Sequence, residues 1–214
     1  PSGARIIDAD GKHVTPGIIS SSSQYGLSEG AAGKFSSDSS ANNSGMTAGF
    51  DVKYALNSAS VVIQEGRRQG VTRAVSSPTS SGDIFSGTSA LITLDNQLDM
   101  NFAEGPMHAK FGNASNRAVA WNRIRAIFDQ TLDYERNQSR AMRGQSQSYA
   151  LSFADMDALI PVLNGDKKLV LEMGSEAEIR GAIALIDDYD IDIIIQGAQE
   201  AWKVAAELAE AEIP

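Results

Sequence analysis

The chain has 214 residues, 42% of them hydrophobic, a formal charge of −9 and no cysteine, so it fits one domain of ordinary size or part of a larger one. No basic stripe is present to release counterions from nucleic acid, and no apolar run approaches the roughly 18–20 residues of a membrane span. Without cysteine there are neither disulfides nor thiolate metal sites, which leaves the compartment open.

In chain order, residues 1–27 read as strand, turn at Gly11, and strand, with Thr15-Pro16-Gly17 leading into the apolar pair Ile18-Ile19. Residues 28–49 are rich in Gly, Ser, Ala and Asn, the composition of a long loop; a loop of that length in a compact domain is functional or disordered. Residues 51–69 read as a helix with Ala55, Ala59, Val62 and Ile63 on one side, stopped by Gly70. Residues 71–75 suit a short strand, 76–87 a polar loop, and 89–95 another strand. Over 113–144, Trp121, Ile124, Ile127, Phe128 and Leu132 recur at spacings of three and four, a single apolar stripe along a helix. Residues 153–163 read as a shorter helix ended by Asn164-Gly165.

The last 47 residues alternate most clearly. Residues 168–173 form a strand; Ser175 with Glu178 offers a capping box for a helix whose inner face is Ile179, Ala182, Ile183 and Ile186. A strand over 191–196 and a helix over 199–210 follow. This β-α-β-α order implies parallel strands covered by helices and an α/β fold class.

Four blocks, in order, resemble the amidohydrolase superfamily, and its imidazolonepropionase-related members in particular. The first is Ile7–Leu27, IDADGKHVTPGIISSSSQYGL. In the family such a sentence runs from a small β-sandwich into the first strand of a metal-dependent barrel and ends in a His-x-His ligand pair. The others are Tyr54–Pro78, Gly82–Asp95 (GDIFSGTSALITLD) and Lys168–Ile213, whose Glu200-Ala201-Trp202-Lys203-Val204-Ala205 matches a family hexapeptide. Residues 96–152 align only loosely. The resemblance implies an incomplete (β/α) TIM-type barrel preceded by the end of a small β-sandwich. Residues 1–17 would be the last sandwich strands and 18–214 barrel strands one to six, a fragment missing sequence on both sides. It also implies export to the periplasm or beyond.

In that family a divalent metal, zinc or another, lowers the pKa of its bound water towards ~7 and polarises the scissile carbonyl. Carried onto this chain, the first-strand ligand pair becomes Ser22 and Gln24. The strand-five ligand becomes Glu172 and the strand-six ligand Gly197, beside Gln196. No lysine stands at the fourth-strand position, and the only histidines are His13 and His108. The expectation is a metal-free, degenerate amidohydrolase-like protein, nominally a hydrolase of non-peptide C–N bonds. It would act by binding a small molecule or by assembling with itself or with an active relative. The alternative is an active hydrolase with an altered site that uses Glu172 and residues outside this segment. A third reading has the polar loops 28–49 and 76–87 contact a partner.

Ser22, Gln24, Ser77, His108, Gln196 and Gly197 are the candidate pocket residues and Glu172 the candidate catalytic one. Glu172 ends an apolar strand, where such barrels carry their chemistry; it reads equally as a strand-end acid satisfied by neighbouring backbone. His13 reads as an ordinary polar residue of the incoming strand. The serine run 20–23 is no catalytic motif without a positioned base and oxyanion donors. Gly82–Gly87 lacks the Gly-Lys-Ser/Thr of a phosphate loop.

Overall fold

The computed structural model describes residues 3–30, 37–41, 44–79, 83–95, 101–111 and 116–214. Six strands form one sheet in sequence order: β1 (Ile18–Ser23), β2 (Val71–Ser76), β3 (Phe85–Thr93), β4 (Phe102–Lys110), β5 (Leu169–Met173) and β6 (Ile193–Gly197). The described helices are α1 (Val61–Arg68), α2 (Arg117–Ala141), α3 (Phe153–Leu163), α4 (Glu176–Tyr189) and α5 (Ala205–Glu210). No helix among the described residues is long and apolar enough to cross a membrane.

β1 and β2 are parallel, as are β4, β5 and β6, but β3 runs antiparallel to both neighbours. The sheet is therefore mixed. The other five strands point one way, and their C-terminal ends share a rim with the N-terminal end of β3. The sheet also curls. β1 and β6 are opposite edges, yet the Gln196 amide of β6 donates to Ser22 Oγ of β1 at 3.3 Å. The result is a half-barrel with its strand ends gathered around one mouth.

The helices pack on the convex face. Phe85, Met107, Leu169 and Leu171 of the sheet are buried against Ile124, Ile127 and Phe128 of α2, Leu159 of α3, and Ile179 and Leu185 of α4. Each such side chain contributes about 1.5–3 kcal/mol of burial. The stripe expected on α2 is the buried one at Ile124, Ile127 and Phe128. Trp121 is half-buried with its ring 4.0 Å from that of Phe111, and the stripe continues through Thr131 and Tyr134 rather than Leu132. A smaller cluster, with Leu27, Val52, Ile63, Ala74, Ala90 and Ile92, seals the other end of the sheet.

Local chemistry explains where elements start and stop. The expected single helix over 51–69 is broken: Asp51 caps a 3-10 turn at Val52–Ala55, and α1 begins only at Val61. Asn57 Oδ1 accepts from the Ala59 amide at 2.9 Å and Ser60 Oγ from that of Val62 at 3.3 Å. These short polar side chains compete with the helix ladder for backbone partners. α4 carries the expected capping box; Glu178 accepts from Ser175 N at 3.0 Å and Gly174 N at 3.1 Å. Burial alone would raise the Glu178 pKa, but those backbone bonds hold it below the usual value. Ile179, Ala182 and Leu185 form the buried face of α4, with Ile183 and Ile186 on its half-buried flank. The helix expected over 199–210 opens as a 3-10 turn, Ala201–Val204, before α5.

Residues 3–17 join no strand among the described residues, although Asp10 (φ 50°) and Gly11 (φ 69°) make a tight turn closed by Lys12 N donating to Ala9 O at 2.9 Å. Ile6, Ile7 and Val14 beside this turn are exposed. The sandwich strands expected here are not formed among the described residues.

Gly181 of α4 lies under the Trp121 indole, which an added Cβ would overlap. Alanine would gain about 1 kcal/mol of helix propensity against an overpacking cost of about 1–3 kcal/mol. Gly181→Ala is expected to destabilise by about 1 kcal/mol in urea unfolding; a gain in stability would show that the indole swings aside freely.

Candidate functional site

Because five strands end and one begins at the same rim, polar side chains from every strand converge there. They enclose a cavity of about 440 Å³ lined by Ser22, Ser23 and Gln24 at the end of β1, Ser77 and Thr79 after β2, and Ser86 of β3. His108 and Lys110 of β4, Glu172 of β5 and Gln196 of β6 complete its polar wall, with Pro78 and Ala109 as the apolar contribution. The volume is in the range of small-molecule sites, and strand C-termini are where such sheets bind ligands.

Register sets the central contact. Lys110 and Glu172 are cross-strand partners between β4 and β5, and Lys110 Nζ lies 2.5 Å from Glu172 Oε1. Glu172 is in turn the partner of Gln196 on β6, whose amide reaches Ser22. Cross-strand neighbours therefore run from Lys110 through Glu172 and Gln196 towards the first strand. Ser23 Oγ donates to Val75 O at 3.0 Å, and the Ser77 amide donates to Ser23 O at 2.9 Å. Ser22 and Ser23 hydroxyls are thus engaged by an amide and a carbonyl, neither of which can activate a nucleophile.

The outer wall is held by the loop before α1. Ser39 O accepts from the Thr79 amide at 2.7 Å, and the two hydroxyls lie 3.1 Å apart. Part of the 28–49 loop is thereby tied to the cavity rim.

His108 is buried, and among the described residues its Nε2 has no hydrogen-bond partner; the same holds for Ser77 Oγ. Burial pushes the His108 pKa down to about 4, with the negative charge of Glu172 opposing the shift. The imidazole is accordingly neutral at pH 7. Lys110 offers the ammonium N–H groups not used by Glu172, and the carboxamides of Gln24 and Gln196 can both donate and accept.

Of the residues singled out in the sequence, Ser22, Gln24, Ser77, His108, Glu172 and Gln196 line this one cavity. Gly197 does not: it ends β6 at φ +92°, where an added Cβ would meet Met173 O, so its role is to turn the chain. His13 is exposed and does not line the cavity. Sequence reasoning missed Lys110, Thr79 and Ser86. Lys110 had a signal, since it lies two residues after His108 and side chains at i and i+2 share a strand face. Ser86 had none, because it reaches the rim only through the reversal of β3.

Among the described residues, no group of three His, Cys, Asp or Glu side chains comes together in a way that could hold a metal ion. The donors lining the cavity are hydroxyls, carboxamides, one imidazole whose Nε2 is enclosed, and one carboxylate already bound by an ammonium. That set does not fit the divalent ion implied by the family resemblance, which calls for several imidazole or carboxylate ligands.

No family model matches the chain, and no curated protein matches it. Among solved structures it is similar to the crystal structure of an amidohydrolase from Thermotoga maritima MSB8, with a TM-score of 0.79 at 20% sequence identity. The match covers 100% of this chain and 61% of that one, so the chain spans about three fifths of its neighbour's length. At this identity the likeness is one of fold: the chain has an amidohydrolase-like architecture, represented here by a six-stranded half-barrel.

Proposed function

We propose that this chain is an amidohydrolase-like protein whose cavity binds a small polar molecule without a metal centre, a pseudoenzyme by the standard of its fold. The observation that carries this reading is the Lys110–Glu172 pair. Among the described residues, the one carboxylate that lines the cavity is held by a cation, at the place where the resemblance would put a metal ligand. A divalent ion there would have to displace the ammonium and would find hydroxyls and carboxamides as its remaining ligands, a poor set for zinc. Fold alone does not specify activity, because chemistry resides in the site; here the site favours recognition over hydrolysis of a C–N bond.

The test is the metal content of purified full-length protein grown with zinc, manganese and iron. The expected result is no stoichiometric ion and a Tm unchanged by chelator. About one tightly held ion per chain, lost in Glu172→Ala, would overturn the proposal in favour of a hydrolase with an altered site.

A further inference from the structure

Resting on that reading of the cavity, we infer that its ligand is a small uncharged polyol, recognised by hydroxyl and carboxamide groups and selected against net charge by the closed Lys110–Glu172 pair. The argument begins with charge. Although the chain carries a formal −9, the described residues of the cavity wall hold one ammonium and one carboxylate, already 2.5 Å apart. A ligand with a carboxylate or phosphate would have to pull Lys110 from Glu172 and leave that acid unpaired; a cationic ligand would do the reverse to Lys110. Uncompensated charge in a partly enclosed site is costly. Both side chains are partly exposed, 37% for Lys110 and 46% for Glu172, so solvent softens this cost without removing it. A neutral ligand leaves the pair intact.

The second part is hydrogen-bond type. Outside the ion pair the lining is dominated by groups that both donate and accept, namely serine and threonine hydroxyls and the Gln24 and Gln196 carboxamides. Their natural complement is a ligand group with the same ambivalence, and a hydroxyl rotates to serve as either. A ligand built only of acceptors would leave the lining acceptors unmatched, and the converse holds for donors.

The third part is what the wall lacks. Among the described residues no aromatic ring lines the cavity, and the apolar contribution is confined to Pro78 and Ala109. A ligand with a large apolar face would gain little there. Hydroxyls distributed along the molecule fit better than an aryl or alkyl body.

The experiment is a charge series on one carbon skeleton, measured with the full chain by ligand-observed NMR: sorbitol (neutral), gluconate (anionic) and glucamine (cationic). Sorbitol is expected to bind about three- to fivefold more tightly than either charged analogue. Glu172→Gln, which frees the Lys110 ammonium, should shift the preference to gluconate; Lys110→Met, which frees the carboxylate, should shift it to glucamine. Urea unfolding of both variants checks that they fold. Wild-type preference for a charged analogue overturns the charge selection while leaving the cavity as a binding site. Binding of a neutral cyclic amide but not of sorbitol overturns the polyol assignment alone. Failure of every probe, charged and neutral, overturns the cavity reading itself.

Discussion

Replacing Asp155 with alanine is expected to lower the unfolding free energy by about 3 kcal/mol, within the range for stripping a buried acceptor from several donors. Asp155 is 1% exposed, and its Oδ1 accepts from the amides of Thr47 at 2.9 Å and Gly49 at 2.8 Å while Oδ2 accepts from Ser152 Oγ at 2.6 Å. Without the carboxylate, two loop amides lose their acceptor. The loop then loosens where it matters. Phe50 O accepts from the Thr88 amide at 2.7 Å, so this one carboxylate, bonded to a loop more than a hundred residues earlier in the chain, links the N-terminus of α3 to β3 through that loop.

The pH dependence follows from the same bonds. Burial alone would raise the Asp155 pKa, but the hydrogen bonds from Ser152, Gly49 and Thr47 outweigh it and hold the carboxyl below its usual value. A depressed folded-state pKa gives stability that is present above the unfolded carboxyl value and lost as pH falls through the folded one. Asp155→Asn should therefore flatten the acid limb of the stability curve. Urea unfolding of both variants at pH 7 and pH 3 checks this; a loss below about 0.5 kcal/mol for Asp155→Ala would mean that the loop is held elsewhere.

His108→Leu should behave in the opposite way, with stability at pH 7 kept or raised and the mid-acid dependence removed. In the wild type the buried imidazole has a pKa of about 4 against an unperturbed 6.5. Between those values the unfolded chain binds the proton and the folded one does not, so stability falls as pH drops from about 6.5 to 4. The shift corresponds to about 3 kcal/mol, lost in full below pH 4. At pH 7 the leucine also removes an enclosed Nε2 that has no partner among the described residues, a polar group that costs about 1–3 kcal/mol when buried alone. The wild-type minus variant difference isolates this residue from Asp155. Equal pH slopes in the two proteins would show that His108 is solvated and titrates normally. A histidine retained at such a cost fits a role at the cavity wall, where function and stability trade against each other.

Much of the local structure was legible in the sequence, because its signals are short-range. α3 spans Phe153–Leu163, the span the periodicity and the Asn164-Gly165 stop predict, and the capping box at Ser175 and Glu178 starts α4. The alternation of β5, α4 and β6 carried the parallel pairing, since consecutive parallel strands require a covering crossover. Where short polar side chains compete with the backbone, as at Asn57 and Ser60, periodicity over-extended a helix.

By itself, then, the sequence determined the helical stripes and the caps, because burial period and capping chemistry act within a few residues; Ser22, Gln24, Glu172 and Gln196 were singled out only through the family resemblance. Tertiary structure alone decided that β3 reverses and brings Ser86 to the rim, that the sheet curls until Gln196 meets Ser22, and that register sets Lys110 on Glu172. Those outcomes depend on pairing between residues as much as 174 apart. A one-residue slip in such pairing would turn each of these side chains to the other face of the sheet, and no local pattern encodes which strand lies alongside.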